Sequence, residues 1–193
     1  MGLNLLAFTL LGYLLGSIPM GVLVSRLLVG VDPRQGGSGH TGTLNTLRQA
    51  GKGAAALTLL LDLGKGLLAT WLAARYGWTA FAPAAAGTAA IVGHCWPVWL
   101  RFRGGMGLAT GAGAVVLFAP LIPLLGIAAW WVILRVNHHS ARAMAASMAL
   151  MPLAAVLLGY PLPTLVLVLG GSLAIFLRHL GDFRRRYPAG WTR

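Results

Sequence analysis

The residues best suited to chemistry lie in two glycine-rich, basic stretches. Residues 31–53 read VDPRQGGSGHTGTLNTLRQAGKG, and residues 101–110 read RFRGGMGLAT. Glycines such as Gly37, Gly39 and Gly42 let consecutive backbone N–H groups turn toward one anion, forming a nest. Ser38, Thr41, Thr43 and Asn45 add neutral donors, and Arg48 adds a guanidinium that grips phosphate through paired N–H bonds. In the second stretch Gly104, Gly105 and Gly107 stand between Arg101, Arg103 and Thr110. Phosphate binding is the chemistry these types share, although Met106 at the centre of the second stretch cannot bind an anion. The bland alternative for the first stretch is a solvated loop whose basic flank meets lipid headgroups. Its G-x-G-x-x-G spacing carries no dinucleotide meaning, because an apolar run and Pro33 precede it where a Rossmann unit needs a strand.

Other ionisable groups are few. Asp62 and Lys65 lie inside an apolar run, LLLDLGKG, at i,i+3 on one helical face. Two readings stay open for them, a lining for the substrate site and a structural ion pair. His40, His94, His138–His139 and His179 show no metal-ligand spacing with cysteine or carboxylate. None begins an H-x-x-x-x-D motif, and the only acidic residues are Asp32, Asp62 and Asp182. Neither a metal nor a cofactor is expected. An enzyme made from these residues works by binding and positioning anions rather than through a carboxylate base.

The elements that position these residues belong in a bilayer. The 193 residues are 58% hydrophobic and 9% charged, with a mean hydropathy of +0.78, whereas soluble domains carry about a quarter charged residues. Fifteen Lys+Arg against three Asp+Glu give +12. Because those charges sit at the ends of apolar runs, they fit anionic headgroups or an anionic substrate, not nucleic acid. The single Cys95 excludes an internal disulfide framework. Hydropathy predicts an all-α membrane protein of seven spans, at about 3–29, 54–74, 79–98, 107–119, 121–135, 145–160 and 163–178. The first run is read as a span, not a signal peptide. Basic residues concentrate in alternate connections: Arg26, Arg34, Arg48 and Lys52; Arg101 and Arg103; Arg135 and Arg142; Arg178, Arg184, Arg185, Arg186 and Arg193. The positive-inside rule then puts the N-terminus outside and the C-terminus, with every glycine-rich loop, in the cytoplasm. Gly12, Gly16, Gly21 and Gly170–Gly171 read as helix-packing positions, and Trp and Tyr as an interfacial belt. No internal repeat is visible, and residues 1–193 are expected to form one polytopic, monomeric domain.

Several of these stretches together resemble the bacterial acyl-phosphate:glycerol-3-phosphate acyltransferases, the PlsY family. They are GSIPMGVLVSR (16–26), GSGHTGTLNTLRQAGKG (37–53), DLGKG (62–66), GHCWPVWLRFRGGMGLATG (93–111), a serine near 140, and RHLGDFRR (178–185). The resemblance implies a multi-pass protein of the bacterial inner membrane, among membrane lipids, with a cytoplasm-facing site. It implies transfer of a fatty acyl group from acyl phosphate to the 1-hydroxyl of glycerol 3-phosphate. It further implies catalytic roles for Ser38, Arg48 and His179. Substrate binding falls to Gly37, Gly39, His40, Asn45, Lys65, His94, Arg101, Arg103, Gly104, Gly105, Gly107, Thr110, Ser140 and Asp182.

The chain departs from the family pattern at four places. His40 replaces the asparagine of GSGN, Met106 the lysine of GGKG, and Asp182 an asparagine three residues after the terminal histidine. The family's C-terminal glutamate has no counterpart in YPAGWTR. A lysine–phosphate contact is worth about 1.5–3 kcal/mol, and Arg48, Arg101 and Arg103 are expected to supply the missing charge. Asp182 repels phosphate unless Arg178 or Arg184 neutralises it. Two further readings are a paralogue that binds acyl phosphate or glycerol phosphate without turnover, and a small anion or lipid-phosphate transporter. Bare outer loops and the lack of an inverted repeat count against transport.

Overall fold

Pro19 cuts the first apolar run of the computed structural model, which describes residues 2–186, into α1 (Gly2–Ser17) and α2 (Met20–Val29). Met1, Arg193 and the YPAGWTR end lie outside the described residues. The remaining helices are α3 (Thr43–Tyr76), α4 (Ala82–Cys95), α5 (Leu108–Val115), α6 (Leu121–Asn137), α7 (Ser140–Leu157) and α8 (Leu162–Leu180). Among the described residues there is no strand, which gives the all-α class expected from hydropathy.

Four segments are long and apolar enough to cross a membrane: Gly2–Val29, Thr43–Tyr76, Ser140–Leu157 and Leu162–Leu180. The expected span at 107–119 forms only the eight-residue α5. At about 1.5 Å per residue it cannot cross a bilayer alone. Its glycines and alanines suit it instead to close packing, and a Cβ at Gly66 would meet the Thr110 carbonyl while one at Gly113 would meet that of Leu63. The same logic joins α1 to α4, where Gly12 faces Ala86 and Gly16 faces Ala90. Gly170 and Gly171 of α8 likewise lie against Thr88 and Ile91. These glycines are packing positions, as expected.

Two breaks shape one end of the bundle. The Ile18 carbonyl, freed at the Pro19 break, accepts a 2.9 Å hydrogen bond from Lys65 Nζ. Gly51 (φ 84°, ψ −179°) interrupts α3, in a conformation open in practice only to glycine. The helix therefore begins earlier than the expected span, and its first turns carry Asn45 and Arg48 beside the loop at 31–42. That loop, the 96–107 turn, the start of α7 and the segment after α8 all meet at this end. At the opposite end, Trp78 N donates to Asn4 Oδ1 at 2.9 Å, and the Arg75 guanidinium stacks on Tyr76.

Candidate active site

Asn45 organises the first glycine loop. Its buried amide accepts from Ser38 N at 2.8 Å and donates to the carbonyls of Pro33 (2.6 Å), His40 (2.9 Å) and Gly36 (3.3 Å). Gly37 has φ 59°, and any Cβ there would strike the Asn45 amide oxygen. Gly39 N bonds the Gly36 carbonyl at 3.0 Å, and His40 N lies 3.4 Å from Ser38 Oγ. The N–H groups of residues 38–40 are thus spent inside the loop, which corrects the expectation of an open nest. Asp32 anchors the loop's other end, accepting from Arg34 Nη2 at 2.6 Å and Arg26 Nη2 at 2.7 Å. The Arg34 hydrogen bonds hold its carboxyl far below the usual carboxylate range, with Arg26 assisting and burial opposing.

The second glycine loop is also committed inward. Gly104 N and Gly105 N donate to the carbonyls of Cys95 (3.2 Å) and His94 (3.1 Å), closing the C-terminal end of α4. Gly107 (φ 87°) caps the start of α5. Arg101 (φ 51°) and Phe102 (φ 62°) form a left-handed turn that exposes Arg101, Phe102 and Arg103. The turn leaves both arginines exposed at the site end. Beneath the loop, His94 Nδ1 lies 3.4 Å from Asp62 Oδ1, which Lys65 Nζ approaches to 2.8 Å. All three side chains are buried. Two of the three Lys65 N–H groups face Asp62 and the Ile18 carbonyl, so the ion pair of this motif forms.

The last turn of α8 and the segment after it close over both loops. Arg178 donates from Nε to the Gly105 carbonyl (2.9 Å) and from Nη2 to the Gly104 carbonyl (3.0 Å), and Nη2 lies 3.3 Å from His40 Nδ1. His40 Nε2 is 2.8 Å from Asp182 Oδ2. Arg185 donates to Asp182 Oδ2 from Nη1 (3.0 Å) and to the Ser38 carbonyl from Nη2 (2.8 Å). The Asp182 carboxylate needs a donor, so Nε2 is assigned the proton it shares with Asp182, Nδ1 is left as the acceptor facing Arg178, and Arg185 Nη1, which lies 3.1 Å from Nε2, donates to Asp182 instead. Burial pushes the Asp182 carboxyl up, but the hydrogen bond from His40 and the Arg185 guanidinium beside it bring it down to about 2. The expected repulsion at Asp182 is therefore neutralised, by Arg185 rather than by Arg184.

His179 is buried, and its Nδ1 donates to the Ile175 carbonyl at 2.8 Å, which leaves Nε2 as the acceptor nitrogen. Thr110, on α5, is buried. Ser140 is not on a loop but opens α7 behind His139, and it makes no hydrogen bond to either glycine loop among the described residues. The same turn of α7 does reach the closing segment, through Arg142 Nε to the Phe183 carbonyl at 3.1 Å. Sequence reasoning missed Arg178 and Arg185 as site residues. Their placement, four residues before Asp182 and three after it, was the signal available.

A profile of the family described as glycerol-3-phosphate acyltransferase matches residues 6–188. The chain belongs to that family. A glycerol-3-phosphate acyltransferase of Rubrobacter xylanophilus is 48% identical over 175 residues, covering 91% of this chain and 87% of the relative. One from Symbiobacterium thermophilum is 44% identical over 184 residues, covering 94% and 90%. The crystal structure of PlsY (YgiH), an integral membrane glycerol 3-phosphate acyltransferase in its glycerol 3-phosphate form, superposes with a TM-score of 0.80 at 31% identity. It covers 94% of this chain and 90% of that one. The lysophosphatidic acid form of the same protein gives 0.78 at 29% identity. This member of the acyltransferase family is thus an enzyme built as an integral membrane protein. Within that frame, its two glycine loops are braced by His40, Asp182 and a pair of arginines.

Proposed function

We propose that this chain transfers a fatty acyl group from acyl phosphate to the 1-hydroxyl of glycerol 3-phosphate. The hydroxyl oxygen attacks the acyl carbonyl carbon, the carbonyl–phosphate oxygen bond breaks, the hydroxyl proton passes to the departing phosphate, and lysophosphatidate and inorganic phosphate leave. The observation that carries the reading is the convergence of both glycine loops, His179 and the basic closing segment at one end of a bundle of this family. Arg48, the Ser38 hydroxyl and the closing arginines hold the two phosphates. His179 Nε2 accepts from the acceptor hydroxyl and orients it toward the carbonyl. The nearest carboxylate in the closing segment, Asp182, is bonded to His40, so catalysis rests on positioning rather than on a His/Asp base.

A lateral apolar groove of about 610 Å³ between α1, α4 and α8, lined by Leu10, Tyr13, Ala85, Ala89, Val92 and Val166, suits the acyl chain. It runs along α4 toward His94. We further infer seven crossings, with α1 and α2 as one and the short α5 completing its crossing inside the bundle against α3 and α8, the N-terminus outside and the site facing the cytoplasm of the bacterial inner membrane. The basic residues gathered at the site end support this orientation. The chain acts as one monomeric unit.

The test is phosphate release from palmitoyl phosphate by the purified protein, with and without glycerol 3-phosphate. Release that needs the acceptor and is lost in Arg48→Ala is the expected result. Binding of acyl phosphate without release would replace the enzyme with a binding paralogue.

A further inference from the structure

Arg178 stands out among the cations at the site. The three carboxylates among the described residues are already paired: Asp32 with Arg26 and Arg34, Asp62 with Lys65, and Asp182 with His40 and Arg185. Arg178 is half-buried and has no carboxylate partner among the described residues. Of its five N–H groups, three are directed at the Gly105 carbonyl, the Gly104 carbonyl and His40 Nδ1. Nη1 makes no hydrogen bond to any described residue. A partly desolvated guanidinium without a counter-charge is costly unless an anion meets it.

The surroundings hold Arg178 in one pose. Asp182 fixes the His40 tautomer through Nε2, so the Nδ1 lone pair always faces the guanidinium. The two glycine carbonyls fix its other edge. This arrangement resembles the way a carboxylate orients a histidine that in turn orients a ligand-binding group. Arg178 also lies beside Gly105, the residue before Met106, in the part of the second glycine loop between Arg103 and Thr110 that carries no cation.

We infer that Arg178 is a phosphate-binding residue that supplies, through Nη1, the positive charge Met106 does not, and that His40 and Asp182 are positioning residues that aim it. The inference rests on the acyl-transfer reading for its substrates, but the anion site can be tested without turnover. The ligand chemistry is a phosphate dianion, carried by either glycerol 3-phosphate or acyl phosphate.

The first experiment maps phenylglyoxal modification of the purified full-length protein by peptide mass. Arg178 should be shielded by inorganic phosphate, while Arg75 at the far end should not. Repeating it with glycerol 3-phosphate and with a palmitoyl phosphonate shows which substrate occupies the site. An Arg178 that phosphate leaves unshielded overturns the proposal. The second experiment compares Arg178→Gln with the double variant Arg178→Gln/Met106→Lys. The single change should raise KM for one phosphate substrate by roughly 10- to 100-fold, the scale of a lost charge-assisted bond. The added lysine should restore most of it. A KM unchanged within roughly twofold, on that same scale, or a loss that Met106→Lys leaves untouched, reduces Arg178 to loop bracing and sinks the idea. If Arg178→Gln yields no folded protein, shielding in the wild type decides. Shielding without any acyl transfer would end the enzyme reading and leave the anion site standing.

Discussion

His40 Nε2 and Asp182 Oδ2 meet at 2.8 Å across 142 positions of sequence. These are two of the positions at which the resemblance implies asparagine, and in this chain they are each other's partners.

Their energies should therefore be coupled. We expect His40→Asn and Asp182→Asn each to lower the melting temperature in detergent, since Asp182→Asn strips the counter-charge from Arg185 and His40→Asn removes the ring between Asp182 and Arg178. The double variant should lose less than the sum, with a coupling of about 0.5–3 kcal/mol as for contacting pairs. Strict additivity would show that the contact contributes nothing.

Acid should loosen the closing segment. The Asp182 carboxyl sits at about 2, below its ordinary 3.8. A carboxylate with a depressed value stabilises the fold fully above its ordinary value and loses that contribution as pH falls toward the folded one. Asp32 behaves in the same direction. The melting temperature should thus decline between about pH 4 and pH 2. In Asp182→Asn the decline should be shallower, and an identical slope would remove Asp182 from the account.

Lys65→Met should be among the most damaging single changes. It leaves Asp62 charged and buried beside His94, at a cost of about 3–5 kcal/mol, and it frees the Ile18 carbonyl at the Pro19 break. Replacing both partners, as Asp62→Leu/Lys65→Met, should recover much of that stability in the same melting assay. A mild effect of the single change would mean that water reaches the pair.

Asn45→Ala should collapse the first glycine loop without touching a substrate directly. The buried carbonyls of Pro33 and His40 lose their donor, at about 1–3 kcal/mol each. Phosphate release should fall with stability, and Asn45→Asp, which keeps the acceptor for Ser38 N, should retain more activity than alanine. Equal losses in the two variants would point away from the loop-pin role.

Much of the fold could be read from the sequence because membrane helices announce themselves as apolar runs punctuated by Pro and Gly. The exceptions have local causes. Pro19 breaks a run whose hydropathy is continuous, and residues 107–119 are too rich in glycine and too near Pro120 to extend past α5. In the sequence the site reads as phosphate chemistry in two loops, and the structure brings those loops to one end of the bundle. What the sequence could not convey was that the Asn45 side chain would compete for the loop's N–H groups, or that α4 would claim those of Gly104 and Gly105. Nor does any local pattern show that Arg178 reaches His40, since 138 positions separate them.

The bond from Arg185 Nη2 to the Ser38 carbonyl spans 147 positions. Synthesis at about 5–20 residues per second puts about 7–30 s between the emergence of these two residues from the ribosome. During that interval the first glycine loop exists without the strap that holds it. In a nascent chain that loop is held by Asn45, and its bond to Arg185 forms only once the segment after α8 has been made.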